Sequence, residues 1–250
     1  MSAKNFIGRG YVRAGIAGVI VAAVVTSMAL AGGASAQSLP RTAPALPRSA
    51  SVPDSEGNTL GFAGYLATPT NGFASASTTF VVPTESSCSD TYDGVSQVVG
   101  IIANNTATQA GIYEYCDNST PVYDYLAETP AGVVEEPATP GDTVVASMFE
   151  TGKWTEAEVH DITNGQYWAG TYSSGGTDTA VDIGVDSSGP PIIPFSTTTM
   201  TMVQVNGDYL GFESPEQLRA TAFETNRVLI ASGPLSAHGT SFKVTFKQSN

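Results

Sequence analysis

From Leu60 to the C-terminus, apolar residues recur at every second position or in short continuous runs, broken by clusters of Gly, Pro, Asn and Ser. No stretch sustains a long helical period. Alternation of this kind places one face of an extended segment against a core and the other toward solvent. It predicts strands over 61–67, 76–83, 95–102, 106–115, 121–128, 143–150, 154–162, 166–173, 179–186 and 197–207, followed by RVLIASGP and SFKVTFK near the end. Pro83 ends the second strand because it cannot donate to a ladder, and Asn164-Gly165 and Asn206-Gly207 mark tight turns, a type I′ turn needing positive φ at both central residues. Only SPEQLRATAF (214–223) reads as a short helix, with Ser214 as N-cap, Pro215 at the first position and Gln217 completing a capping box. Ten to twelve short strands predict an all-β domain with little helix, a two-sheet antiparallel β-sandwich of the concanavalin A-like jelly-roll type.

The first 36 residues differ in kind. Lys4, Arg9 and Arg13 precede an apolar run that closes on Ala34-Ser35-Ala36, the pattern of a secretory signal peptide. Its removal predicts a secreted protein with no stable membrane association. Residues 37–58 are rich in Pro, Ser and Ala and read as a linker or pro-segment, which leaves 59–250 as one domain, expected to be a monomer. The exported chain would keep seven basic residues against 23 acidic ones, a net charge of −16. That balance repels phosphate backbones, so nucleic acid is not an expected partner, and it suits an acidic exterior where carboxylates are partly neutralised. Cys88 and Cys116, in an oxidising space, are expected to form a disulfide. The sequons at Asn104 and Asn118 are acceptors only where the export route glycosylates.

Several chemistries are poorly served by these residues. The two histidines, His160 and His238, lie far apart and no Cys/His spacing suits a metal, so neither a metal nor another cofactor is expected. There is no G-x-S-x-G elbow and no glycine loop joining a strand to a helix. What remains is carboxylate chemistry. The stretch 97–130 sets Gln109 in the middle of one strand and Glu128 on the next, while 179–186 carries Asp182 and Asp186 on one face and Val181, Ile183 and Val185 on the other. Two acids can serve glycoside hydrolysis. A carboxylate beside an amide can activate water against a peptide carbonyl. Composition leaves both open.

The order and content of several segments resemble the glutamic peptidases, the acid endopeptidases called eqolisins, from about Gly61 to Phe195. GFAGY, TTFVVP and QVVGI are similar to three of the family's strands, and the most specific match is TQAGIYEY followed by YDYLAE and GDTV. The resemblance implies that Gln109 is the catalytic glutamine and Glu128 a cleft glutamate. DIGVD places Asp186 on the family's catalytic glutamate, and a slip of four residues would place Asp182 there. Val98, Ile102 and Tyr113 stand where the family carries a tryptophan and two aspartates. The implied activity is cleavage of a polypeptide substrate, with Tyr113, Tyr123 and Tyr125 beside Glu128 in the substrate groove. A secreted relative that binds peptide or carbohydrate through Tyr113, Tyr115, Tyr123 and Tyr125 without cleaving it is the second reading.

Overall fold

The computed structural model describes residues 56–249, apart from 60, 86, 93, 104–105, 131, 174–179, 188–189, 223–224 and 226. The expected signal peptide and most of the expected linker lie outside the described residues. The strands are β1 (Glu56–Thr59), β2 (Ala63–Ala67), β3 (Ser75–Val81), β4 (Val95–Ala103), β5 (Thr106–Asp117), β6 (Thr120–Thr129), β7 (Gly132–Pro137) and β8 (Thr143–Thr151). They continue as β9 (Trp154–Asp161), β10 (Gln166–Ser173), β11 (Ala180–Ser187), β12 (Thr198–Val205), β13 (Asp208–Tyr209), β14 (Glu216–Thr221), β15 (Val228–Ser232) and β16 (Ser241–Phe246). The one helical element described is a 3₁₀ turn, Leu210–Glu213.

The protein is all-β, and its strands form one continuous ladder rather than two separately bonded sheets. The order is β10-β9-β8-β3-β12-β16-β15-β14-β2-β11-β4-β5-β6-β7, with β13 on β12 and β1 running parallel to β14. All other pairings are antiparallel. The sheet curls until its ends meet: β8 and β9 lie against β5, and β9 and β10 against β6. The expected alternation explains the interior. Ile101, Ile112, Met148, Ile183 and Phe80 point inward from β4, β5, β8, β11 and β3 and are fully buried. Tyr125 on β6 stacks on Trp168 of β10 at 4.0 Å between ring centroids, which ties one end of the ladder to the other.

Two local expectations are corrected. The segment expected to be a helix over 214–223 is strand β14, hydrogen-bonded to β2 on one edge and β15 on the other. Ser214 is left-handed (φ 49°) and closes the 3₁₀ turn as its C-cap rather than starting a helix, and the Gln217 amide donates to Ser232 O at 2.9 Å instead of reaching back to Ser214. Ladder partners on both edges outweigh a local capping pattern. The Asn164-Gly165 turn falls where expected but is a four-residue loop in which Gly165 alone has positive φ (78°). Asn206 and Gly207 are both positive, at 54° and 84°, as a two-residue hairpin requires. Strand β7 was not anticipated; it is a short edge strand closed by Pro137. β1 takes in the last three residues of the stretch read as linker.

Asp161 explains why the 162–165 loop takes its shape. Its Oδ1 accepts from Thr163 N at 2.8 Å and from Asn164 N at 3.3 Å, and its Oδ2 accepts from the Tyr125 hydroxyl. The residue is fully buried. Burial alone would raise its pKa, but these donors and the carboxyl of Asp142 outweigh burial and lower it, while Asp142 is pushed up by its own burial and by Asp161. A depressed carboxyl contributes stability above its unfolded pKa and loses it as pH falls through the folded value. Asp161→Ala is therefore expected to cost about 2–4 kcal/mol at pH 5 in urea unfolding, with the deficit shrinking toward pH 2.

Candidate active site

The site is built on three neighbouring strands, β5, β4 and β11. Gln109 on β5 pairs with Gly100 on β4, and Gly100 pairs with Asp182 on β11, so the three share one row and one face. On the other side Gln109 is opposite Glu128 of β6. Glycine at 100 leaves room for the Asp182 carboxyl, because a Cβ would fall 2.1 Å from Asp182 Oδ1 and displace it. The next row on this face, toward Asp186, contains Gly111 and Gly184, whose Cβ atoms would lie 1.8 Å from Gln97 O and 2.3 Å from Ala63 O. Backbone crowds over the side-chain face of both residues, so the sheet is creased toward the side that carries Gln109. Across this crease the Gln109 amide reaches Asp186, Nε2 donating to Oδ2 at 3.4 Å. Asp186 Oδ1 accepts from Ser187 N at 3.0 Å.

The electrostatics of the two aspartates differ. Burial raises the pKa of Asp186, and the Gln109 amide and the Ser187 N–H pull back against that rise. Asp182 is pushed up to about 7, first by burial and then by the negative charge of Asp186. Part of Asp182 reaches solvent, but Oδ1 is closed off and has no hydrogen-bond partner. Asp182 is thus the proton-bearing member at mildly acid pH, and Asp186 the more readily ionised one. This is the division of labour expected when like charges crowd one site.

Of the other candidate residues, Glu128 and Tyr113 lie on the same face as Gln109, and Tyr113 stacks on Tyr115 at 5.1 Å. Tyr123 and Tyr125 are a correction. They alternate with Asp124 and Leu126 and point to the opposite face, into the core beside Ile112, at 9% and 1% exposure. They cannot touch a ligand lying against Gln109. Cys88 and Cys116 form a disulfide. His160 and His238 are exposed. Among the described residues no three of His, Cys, Asp or Glu cluster as metal ligands.

A second polar group went unnoticed in the sequence. Glu114 and Gln97 occupy inward-facing positions in line with Ile112 and Val99, are wholly buried, and lie close to the carboxyl of Glu85. An acid in an apolar register was the available signal. A cavity of about 500 Å³ lies elsewhere, on β14 and β15 between Leu218, Arg219, Arg227 and Lys247. It holds no carboxylate–amide pair, and the crease rather than this cavity has the chemistry of a hydrolytic site.

Residues 60–228 match the model of the Peptidase A4 family. The chain belongs to that family. The fold agrees: scytalido-glutamic peptidase, solved with a transition-state analogue inhibitor, superposes with a TM-score of 0.62 at 17% identity, covering 75% of this chain and 98% of that one. SCP-B, a member of the eqolisin family of peptidases solved with the tripeptide Ala-Ile-His, gives 0.61 at 18% identity over the same shares. A comparison with curated proteins returned no match. Membership in a peptidase family supports a peptidase function and implies polypeptide substrates.

The state of Asp182 can be tested apart from activity. A carboxyl raised in the folded protein contributes stability that is whole below its unfolded pKa and is lost as pH rises through the folded value, here between about 4 and about 7. Asp182→Asn is expected to flatten the decline of urea stability over that window. Gly100→Ala is expected to lower stability by about 1–3 kcal/mol by driving Asp182 out of its place, measured by the same unfolding curves.

Proposed function

We propose that this protein is a secreted acid endopeptidase in which Gln109 and Asp186 act together on a water molecule. The observation that carries the reading is the contact between the Gln109 amide and the Asp186 carboxylate in the crease. Ionised Asp186 takes a proton from the water as the water oxygen attacks the peptide carbonyl carbon. The Gln109 Nε2–H₂ group donates to the oxygen that becomes negative, which is the role that gives a fixed amide most effect in a partly dry site. The proton held by Asp186 then passes to the leaving amine as the C–N bond breaks. Protonated Asp182 keeps a second negative charge out of the crease, and Glu128, opposite Gln109, flanks the substrate. The same roles with Asp182 as base are less well supported, because Asp182 holds its proton to about 7 and does not bond Gln109.

The curled sheet is read as a two-layer jelly roll of the concanavalin A-like type with the crease on its outer side. Export is supported by the basic and apolar N-terminal segment that ends in Ala34-Ser35-Ala36, and by the Cys88–Cys116 disulfide. The raised pKa of Asp186 sets the acid side of the activity profile, since the base must be ionised.

The test is cleavage of an unfolded protein between pH 2 and 7 by the mature chain. Gln109→Ala and Asp186→Ala are each expected to lower kcat at least about 100-fold while the far-ultraviolet circular dichroism stays unchanged. Absence of cleavage by the wild type at every pH would leave the second reading, a non-cleaving binding protein. Cleavage that survives both substitutions would remove these two residues from the mechanism.

A further inference from the structure

Behind the crease, on the inward face, three long polar side chains lie among apolar core residues. Glu114 of β5 and Gln97 of β4 are 0% exposed. The third is Glu85, on the segment after β3. The six side-chain oxygens and nitrogens of Glu85, Gln97 and Glu114 are all closed off from solvent, and none has a partner in hydrogen-bond geometry. The carboxyl of Glu114 has Glu85 and Gln97 as its polar neighbours. The remaining titratable neighbour is Tyr123 of β6, whose hydroxyl oxygen accepts from Glu85 N at 3.0 Å. Glu85 is the charged neighbour that acts on Glu114, and among the described residues no cation balances the pair. Phe195, which bridges to Glu85, adds no charge.

Two ionised carboxylates cannot remain together in such a place, because each would be desolvated and would repel the other. Two neutral acids are tolerated at low pH, where each O–H can donate to the other carboxyl. A single proton between them makes a strong charge-assisted O–H···O bond and gives the Gln97 amide an ionised acceptor. We infer that Glu85 and Glu114 share one proton, and that this bond latches the Cys88 segment to β5 so that the fold is held by acid and loosened as pH rises. Glu85 stands three residues before Cys88, whose disulfide partner Cys116 is two residues beyond Glu114. The covalent and protonic links therefore join the same two segments, and Ser89 N donating to Cys116 Sγ at 3.2 Å adds a third. The latch is independent of peptide cleavage.

Burial raises both carboxyls, Glu114 well above its ordinary value of 4.5. The linkage sign follows: the contribution is whole below about pH 4.5, and falls as pH rises above that point, because the unfolded chain releases protons that the folded protein keeps. Each proton so kept makes the folding equilibrium constant fall about tenfold per pH unit. Asp182, Asp186, Asp124 and Asp142 are also raised, so the measurement has to be a difference between variants.

Urea unfolding of the mature protein, with its disulfide intact, is followed from pH 4 to 8 for the wild type and Glu114→Gln. An amide at position 114 can donate to Glu85 at any pH. The expected result is that the ratio of wild-type to variant folding constants falls about tenfold per pH unit between pH 5 and 7. Parallel curves would overturn the proposal. Should Glu114→Gln fail to fold, Glu85→Gln serves in its place with the same two outcomes. Carbon NMR of the wild type labelled in the glutamate carboxyls provides a reading that needs no variant. At pH 6.5 one glutamate carboxyl signal is expected at the protonated position, and all signals at the ionised position would contradict a shared proton.

Discussion

The register of β5, β4 and β11 is the constraint on which the rest depends. Antiparallel pairing sets Gln109, Gly100 and Asp182 in one row, and the missing side chain at Gly100 makes room for the Asp182 carboxyl. One residue of slip would send every polar group of the site into the core, since side chains alternate strictly along a strand. The inward residues of the same strands, Ile101, Ile112 and Ile183, forbid that slip because they would then face water. Core packing and site geometry are thus fixed by the same ladder. The crease at Gly111 and Gly184 does the remaining work, bringing Asp186 from a different row to the Gln109 amide.

The polar interior is organised around pairs of acids. Asp182 lies near Asp186, Glu85 near Glu114, and Asp142 near Asp161, and in each pair one carboxyl keeps its proton more firmly than an isolated one would. Pairs of this kind are tolerable when protons are plentiful and costly when they are scarce. A chain that carries 23 acidic residues against ten basic ones has few cations with which to neutralise them. Asp161 is the exception, held ionised by Tyr125 and the loop N–H groups, and it fastens the loop between β9 and β10. The crease and the inward face therefore share one physical theme while serving different ends.

Much of this was legible in the alternation of the sequence. Most strand positions, the single face bearing Asp182 and Asp186, and the Asn206-Gly207 hairpin follow from period two and from residues that accept positive φ. Period two could not choose between Asp182 and Asp186, because residues four apart share a face. Their difference comes from burial and from the crease, which are tertiary. The same period did set Tyr123 and Tyr125 on the face of their strand opposite to Glu128, and the register of β6 on β5 then puts Tyr125 opposite Ile112. Their assignment to the groove rested on their aromatic character and ran against that signal. The 214–223 segment carried a good local capping pattern, and ladder partners from β2 and β15, distant in sequence, outweighed it. Glu114 and Gln97 were visible as polar residues in an apolar register, but Glu85 comes from another part of the chain, so their meeting required the fold.

The central claim is that Gln109 and Asp186 hold a water molecule between them in the crease. A crystal structure of the mature protein at pH near 4, at a resolution that orders solvent, tests it most directly. The account predicts one well-ordered water within hydrogen-bond distance of both Gln109 and Asp186, with Gly100 beneath it and Asp182 alongside. Finding the Gln109 amide turned away and bonded within the sheet, with Asp186 open to bulk solvent, would contradict it.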